Sequence, residues 1–289
     1  MILVVGGTGM VGGMIVDGLL DQGRRVRALV RSQAAVERFS ARGVETVLGD
    51  LKDRASLDRA CADVDVVMTT ANSVSRGGED NPMTVEEQGN RNLVDAARAA
   101  GVGHFVFTSA LGSALESPVP FLRGKALAEE YLKDSGLTYT ILLPNLFMEI
   151  WCPNIVGRAV LEGRPVVLVG EGRRRHSMIS AADVAGFAVA AAGNERAYNR
   201  ALVLGGPEPV SWQDVVAAYE RVTGRKIEVT YIPSGQPLPG VPDFVSGLMN
   251  QLEGYDSVIP MEAVAHEFGV KQVFLDDSIH KQLLSAAVP

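Results

Sequence analysis

The short apolar run Met1-Ile-Leu-Val-Val5 breaks directly into Gly6-Gly7-Thr8-Gly9-Met10-Val11-Gly12. Met14, Ile15, Gly18, Leu19 and Leu20 then recur at helical spacing. No other stretch limits the fold so strongly, because a buried strand that turns on glycines into a helix is the opening of a βαβ unit. The glycines have separate tasks. Gly6 permits the tight exit from the strand, Gly9 keeps a Cβ out of the path of a pyrophosphate, and Gly12 lets the helix lie close on the sheet. The N–H groups around Thr8, Met10 and Val11, with the helix dipole behind them, are placed to hold phosphates.

Further strands are predicted at Arg25–Arg31, Val44–Leu48, Val64–Thr70, His104–Thr108 and Thr138–Leu143, with helix patterns over Thr84–Ala100 and from Phe121 to Gly136. Strand–helix alternation of this kind implies parallel strands and right-handed crossovers. The predicted class is therefore α/β, a Rossmann-type doubly wound parallel sheet. After Pro144 the pattern changes, with Phe147, Met148, Ile150 and Trp151 too bulky for a sheet already filled. Shorter elements follow. They are a helix at Val156–Leu161, strands at Pro165–Val169, Ala201–Leu204 and Ile227–Ile232, and a helix capped by Ser180 or Asp183. Another helix carries a capping signature at Ser211, and helices at Phe244–Leu252, Met261–Phe268 and Asp276–Ala287 complete the chain. They read as a smaller C-terminal α+β substrate lobe against the carboxyl edge of the sheet. Residues 1–145 with about 176–205 form the expected nucleotide-binding domain, and 146–175 with 206–289 the lobe.

The end of the second strand selects the nucleotide. NAD-binding sites place an acid there for the ribose 2′-hydroxyl, whereas this chain has Arg31 and Ser32, a guanidinium and a hydroxyl suited to a 2′-phosphate. NADP(H) is the expected cofactor. Asp50, beside Leu51 at the end of the third strand, either meets the adenine amino group or caps the helix from Asp53. Thr70, Ala71, Asn72 and Thr108 stand at carboxyl ends of strands, where a ribose and nicotinamide pass. The polar segment Val74–Met83 reads as a loop over the cofactor or over the substrate's way in.

Hydrophobic residues at 47% and charged ones at 21% provide for a substantial core. A net charge of −7 argues against non-specific nucleic-acid binding. Two distant cysteines, Cys61 and Cys152, imply neither a disulfide framework nor a zinc site, and no other metal site is expected. A first strand at residue 2 leaves no room for a cleavable signal, no apolar run approaches a membrane span, and the cytoplasm is the expected compartment.

The glycine turn, Arg31, Gly49-Asp50-Leu51, Lys125 and Asp183-Val184-Ala185 together resemble the atypical short-chain dehydrogenase/reductases, in their NmrA-like and isoflavone-reductase-like subgroup, over roughly residues 1 to 205. The resemblance implies that Lys125 hydrogen-bonds the nicotinamide ribose and that the backbone after Pro144, at Asn145, Leu146 and Phe147, meets the carboxamide. The general dehydrogenase pattern also needs a serine after the fifth strand and a Tyr-x-x-x-Lys. Here Ala110 takes the serine's place, with Ser109 one residue early, and Phe121 takes the tyrosine's place. A phenyl ring cannot pass a proton. The subgroup often lacks that tyrosine, so the proton must come from water, from Lys125 through the ribose hydroxyls, or from Ser109, Ser113 or Tyr139. The plainer reading of Lys125 is a surface lysine paired with Glu129, four residues on.

Phe147, Met148, Trp151, Phe244, Leu248 and Met249 line a flat apolar substrate pocket or fill the core of the lobe. His176, after three arginines, either faces the cleft or lies on the surface. The expected activity is NADPH-dependent reduction of a ketone, quinone or enone on an aromatic or polycyclic small molecule, in secondary metabolism, by a monomer or homodimer. The alternative is an NADP(H)-sensing regulator that binds a protein partner and turns nothing over. A sugar-nucleotide epimerase or dehydratase is disfavoured, because it too needs the missing tyrosine.

Overall fold

The computed structural model describes residues 1–74 and 76–286. Ser75 of the expected loop and Ala287 of the expected tail helix lie outside them. The chain begins β1 Ile2–Val5, α1 Met10–Asp21, β2 Val26–Val30, α2 Gln33–Ser40, β3 Glu45–Leu48, α3 Arg54–Cys61 and β4 Val66–Thr69. A π-helical turn, Met83–Glu87, leads into α4 Gln88–Ala99, then β5 His104–Thr108, α5 Pro120–Asp134 and β6 Tyr139–Pro144. Next come α6 Met148–Cys152, a second π turn at Pro153–Gly157, α7 Arg158–Leu161, β7 Val166–Val169, α8 Ala181–Ala191 and β8 Arg200–Leu204. The last elements are α9 Trp212–Thr223, β9 Val229–Ile232, α10 Asp243–Leu252, α11 Glu262–Phe268 and α12 Leu275–Ala286.

Two compact units result, Met1–Pro144 with Val184–Val203, and Asn145–Asp183 with Leu204–Pro289. Residues 176–183, grouped on sequence with the nucleotide-binding half, fall in the second unit. The central sheet has the order β3-β2-β1-β4-β5-β6-β8, and every pairing from β3 to β6 is parallel. This is the Rossmann-type arrangement. Strand order reverses between β1 and β4, and ligands bind at such a switch point, outside the carboxyl ends of the strands. β1, β2, β4 and β5 are buried along their whole length, as continuous apolar runs of a sheet covered on both faces must be. Arg27 is the polar exception in β2. Its guanidinium is satisfied by Glu45 and by the carbonyls of Ala60 and Ala62 at the end of α3.

His104 opens β5 in a fully bonded niche. Its Nε2 lies 2.9 Å from Thr140 Oγ1, that hydroxyl donates to Ala197 O at 2.6 Å, and Gly193 N donates to His104 Nδ1 at 3.2 Å. Thr140 has only one proton to give, so Nε2 carries the hydrogen and Nδ1 accepts, which makes the ring neutral. Burial pushes its pKa from 6.5 down to about 4. Between those values the unfolded chain binds more protons than the native one, so stability is lost as pH falls below the unfolded value. Acidification from about pH 7.5 to about pH 5 costs on the order of 2 kcal/mol through this group. Urea midpoints measured across that range will drop in the native protein and drop less in His104→Gln.

The second unit holds the parallel pair β7–β9 and a core that includes Trp212, Tyr219, Met148 and Met249. α9 starts on the expected cap. Ser211 Oγ accepts from Asp214 N, and the Asp214 carboxylate accepts from Ser211 N, a complete capping box. Ser180 rather than Asp183 caps α8, accepting from Ala182 N at 3.1 Å. Asp183 instead accepts from Val273 N with both oxygens. Among the described residues no helix is long and apolar enough to cross a membrane.

Candidate functional site

The glycine turn closes as its spacing requires. Gly6 has φ +88, and a Cβ there would lie 2.7 Å from Thr70 Oγ1 and 2.9 Å from Ala71 N. At Gly12 a Cβ would sit 2.2 Å from Gly6 O, so only glycine lets α1 rest on the turn. Gly9 is the N-cap of α1 and offers no side-chain acceptor. The first N–H groups of a twelve-residue helix, those of Met10 and Val11 among them, are thus left to a ligand or solvent, with the helix dipole aimed the same way. Such a cradle fits a dinucleotide pyrophosphate.

Beside it lies a cavity of about 740 Å³, lined among others by Gly6, Thr8, Arg31, Ser32, Asp50, Leu51, Ala71 and Asn72. It lies at the ends of β1, β2 and β4 and is large enough for a nucleotide. Three expected ligands are already engaged. Ser32 Oγ accepts from Ala35 N as the cap of α2, which leaves its O–H free to donate. Asp50 Oδ1 accepts from Lys52 N, while Asp53, not Asp50, caps α3. Arg31 Nη1 donates to Asp80 Oδ2 at 2.5 Å, so the residue expected to clamp a phosphate is held by a carboxylate that the sequence reading passed over.

A buried polar cluster stands at the ends of β4 and β5. Lys125 is 2% exposed, and its Nζ donates to Thr108 O at 3.0 Å and Ala71 O at 3.3 Å. The ammonium also lies over the Phe107 and Phe121 rings, at 4.9 and 5.8 Å. Burial pushes its pKa down to about 8, against the pull of Glu86 and Glu129. The surface-pair reading of Lys125 and Glu129 is therefore wrong. Glu129 is itself buried and accepts a very short hydrogen bond from Ser109 Oγ. Ser113 Oγ lies 3.1 Å from Ser109 Oγ and donates to Ala110 O. Burial raises the Glu129 pKa above the ordinary carboxylate value. Glu86 accepts from Ser73 N at 2.6 Å with one oxygen, and its other oxygen has no partner among the described residues. Sequence reasoning gave Glu129 only a surface role beside Lys125 and passed over Glu86. The signal for Glu86 was its spacing, since Glu86, Asn90, Leu93 and Ala97 share the buried face of α4 and the turn before it.

The backbone around Pro144 is largely committed. Pro144 O accepts from Leu111 N, Asn145 N donates to Leu204 O, and Leu146 O accepts from Ile179 N. The Asn145 amide donates to Ser177 O and Ser257 Oγ. In the second unit His176 is neither on the surface nor at a cleft. It is 0% exposed, its Nδ1 lies 2.8 Å from Ser257 Oγ, and its backbone bridges Val210 and Ser257. It ties chain segments together, and burial lowers its pKa. Met249 is in the core, Phe147 and Trp151 are half-buried, and Phe244 is 69% exposed, so these four do not line one wall. Arg173, Arg174 and Arg175 pair with Glu171, Asp256 and Asp214 on the surface. Among the described residues no group of three His, Cys, Asp or Glu gathers as for a metal.

Comparison with known proteins agrees with the architecture. The NAD(P)H azoreductase of Xenophilus azovorans is 33% identical over 87% of this chain and 86% of its own. The photosystem II assembly factor Ycf39 of Cyanophora paradoxa is 32% identical over 80% and 71%. The crystal structure of the NADPH-dependent quinone oxidoreductase QOR2 of Escherichia coli, complexed with NADPH, superposes with a TM-score of 0.81 at 22% identity, covering 98% of this chain and 100% of that one, and so shares its fold. With the pattern of the NmrA-like family matching residues 1–277, the chain belongs to that family.

Proposed function

We propose that the protein is an NADP(H)-dependent oxidoreductase that reduces a conjugated, aromatic or polycyclic carbonyl or quinone in the cytoplasm. The first unit would hold the dinucleotide and the second would contribute to substrate binding. The observation that carries this reading is the buried ammonium of Lys125, costly to keep and set beside a serine–carboxyl pair, at the switch-point edge of the sheet. A protein that only sensed the nucleotide would need the phosphate cradle but not this cluster. The azoreductase and quinone oxidoreductase likenesses support a conjugated acceptor.

Bound NADPH supplies the hydride. The chain supplies position and a proton. Lys125 spends two N–H bonds on Thr108 O and Ala71 O, which fixes the ammonium and leaves a third for a ribose hydroxyl. Ser109 Oγ, which at rest donates to Glu129, turns to give its proton to the reduced oxygen and takes one from the Glu129 carboxyl, which burial keeps protonated to higher pH than usual and which solvent reprotonates before the next turnover. This route replaces the proton path that Phe121 closes.

A second reading, a nucleotide-binding factor without turnover, draws on the likeness to the photosystem II assembly factor and on Phe121 in the tyrosine's place. Oxidation of NADPH, followed by its absorbance against a panel of quinones, azo dyes and polycyclic ketones, separates the two. Turnover with at least one acceptor is the expected result. Tight NADPH binding with no oxidation across the panel would establish the second reading instead.

A further inference from the structure

Three cations converge on one carboxylate at the cavity. Lys52 Nζ donates to Asp80 Oδ1 at 2.7 Å, Arg31 Nη1 donates to Asp80 Oδ2 at 2.5 Å, and Arg76 Nη1 lies 3.5 Å from the same oxygen. Asp50 brings a second carboxylate, 3.6 Å from Arg31. Arg31, Asp50, Arg76 and Asp80 all line the cavity. A carboxylate met by three basic groups at hydrogen-bonding range has the charge and geometry of a phosphate in an arginine clamp.

We propose that Asp80 is a built-in counter-anion at the 2′-phosphate position, and that it sets how strongly the site prefers NADPH to NADH. The inference rests on the NADP(H) reading of the cavity. Charge counting supports it. Within the cluster itself three cations against Asp50 and Asp80 leave one positive charge, and Arg38 adds a further cation on the cavity wall. A 2′-phosphate carries close to two negative charges at neutral pH. With Asp80 in place the group would become net negative, and with Asp80 withdrawn it balances. A phosphate that takes the Arg31 and Lys52 donors displaces the carboxylate that now holds them, whereas a plain ribose need not. Arg76 directly precedes a tight turn, Gly77 to Asp80, closed by Asp80 N donating to Gly77 O with Gly77 and Gly78 at φ +78 and +65. Rotation of the Asp80 side chain can thus free the clamp and leave Arg76 in reach. The neighbouring cations hold the Asp80 carboxyl far below the usual carboxylate range, so it competes as an anion at any working pH.

Calorimetric titration of NADPH, NADH, adenosine 2′,5′-bisphosphate and adenosine 5′-monophosphate into the full-length protein, Asp80→Asn and Asp80→Ala tests this. Both variants should bind NADPH and the bisphosphate roughly tenfold more tightly, the scale of one charge-assisted bond no longer contested, and bind NADH and the monophosphate no more tightly than before. Weaker or unchanged NADPH binding in the variants, or an equal shift for both dinucleotides, would overturn the inference while leaving the NADP(H) reading intact. Failure of the unaltered protein to bind either dinucleotide would overturn both.

Discussion

Gly12→Val will abolish measurable dinucleotide binding and lower the melting temperature. The added Cβ lies 2.2 Å from Gly6 O, 2.7 Å from Gly6 C and 2.8 Å from Thr70 Oγ1, and the first two are backbone atoms that cannot swing aside. To relieve the overlap α1 must lift off the turn by on the order of an ångström, and overpacking of that kind costs about 1–3 kcal/mol. The same shift carries the first N–H groups of the helix away from the pyrophosphate they are aimed at, and misplacement on that scale removes most of what a preorganised site contributes. Gly13→Ala is the control. Its Cβ would come no closer than 3.5 Å to Gly7 O, and alanine in place of glycine inside a helix adds up to about 1 kcal/mol. It should bind NADPH as before and melt no lower. Calorimetry and thermal melts on the two variants check the pair, and NADPH binding by Gly12→Val within a factor of about three of the unaltered protein would refute the assignment.

What could be read from the chain was what repeats locally. The strand–glycine–helix opening, the buried apolar strands and the Ser211 cap each depend on neighbours close in sequence, and each stands where its pattern put it. Charge partnerships are different, because they depend on which elements the sheet order brings together. Lys125 and Glu129 look like a solvent-facing pair on a helix, yet α5 turns both inward, one toward the carbonyls of Thr108 and Ala71 and the other toward Ser109. Asp80 has one near partner, Arg76 four residues before it, but the two that tie it to the cavity, Arg31 and Lys52, lie 49 and 28 residues away. His176 misled for the same reason. Three preceding arginines mark a surface, and only pairing with the Val210 and Ser257 segments buries the ring.

Lys125→Met is expected to separate stability from activity. A pKa brought from the usual 10.5 down to about 8 means that the native state holds the ammonium at a cost, on the order of 3 kcal/mol. Methionine removes that cost and fills similar space, but it orphans the Thr108 and Ala71 carbonyls, a loss of about 1–3 kcal/mol each. The two effects nearly cancel, so the variant should melt within a few degrees of the unaltered protein. Turnover should nevertheless fall by about a hundredfold or more, the scale of a lost charged or proton-transferring group at a reacting centre. The pH dependence gives a signature that mere loosening cannot imitate. In the unaltered protein, activity that needs the ammonium is present below about pH 8 and lost above it. Stability from this group changes in the opposite sense, rising between about pH 8 and 10.5, because the unfolded chain holds more protons there. Both trends should vanish in Lys125→Met. Glu129→Gln should keep the alkaline limb while still lowering turnover, because an amide accepts from Ser109 but cannot return its proton. An unaltered pH–rate profile in Lys125→Met would show that the ammonium takes no part in the reaction, and the cluster would then be a structural element of the sheet edge.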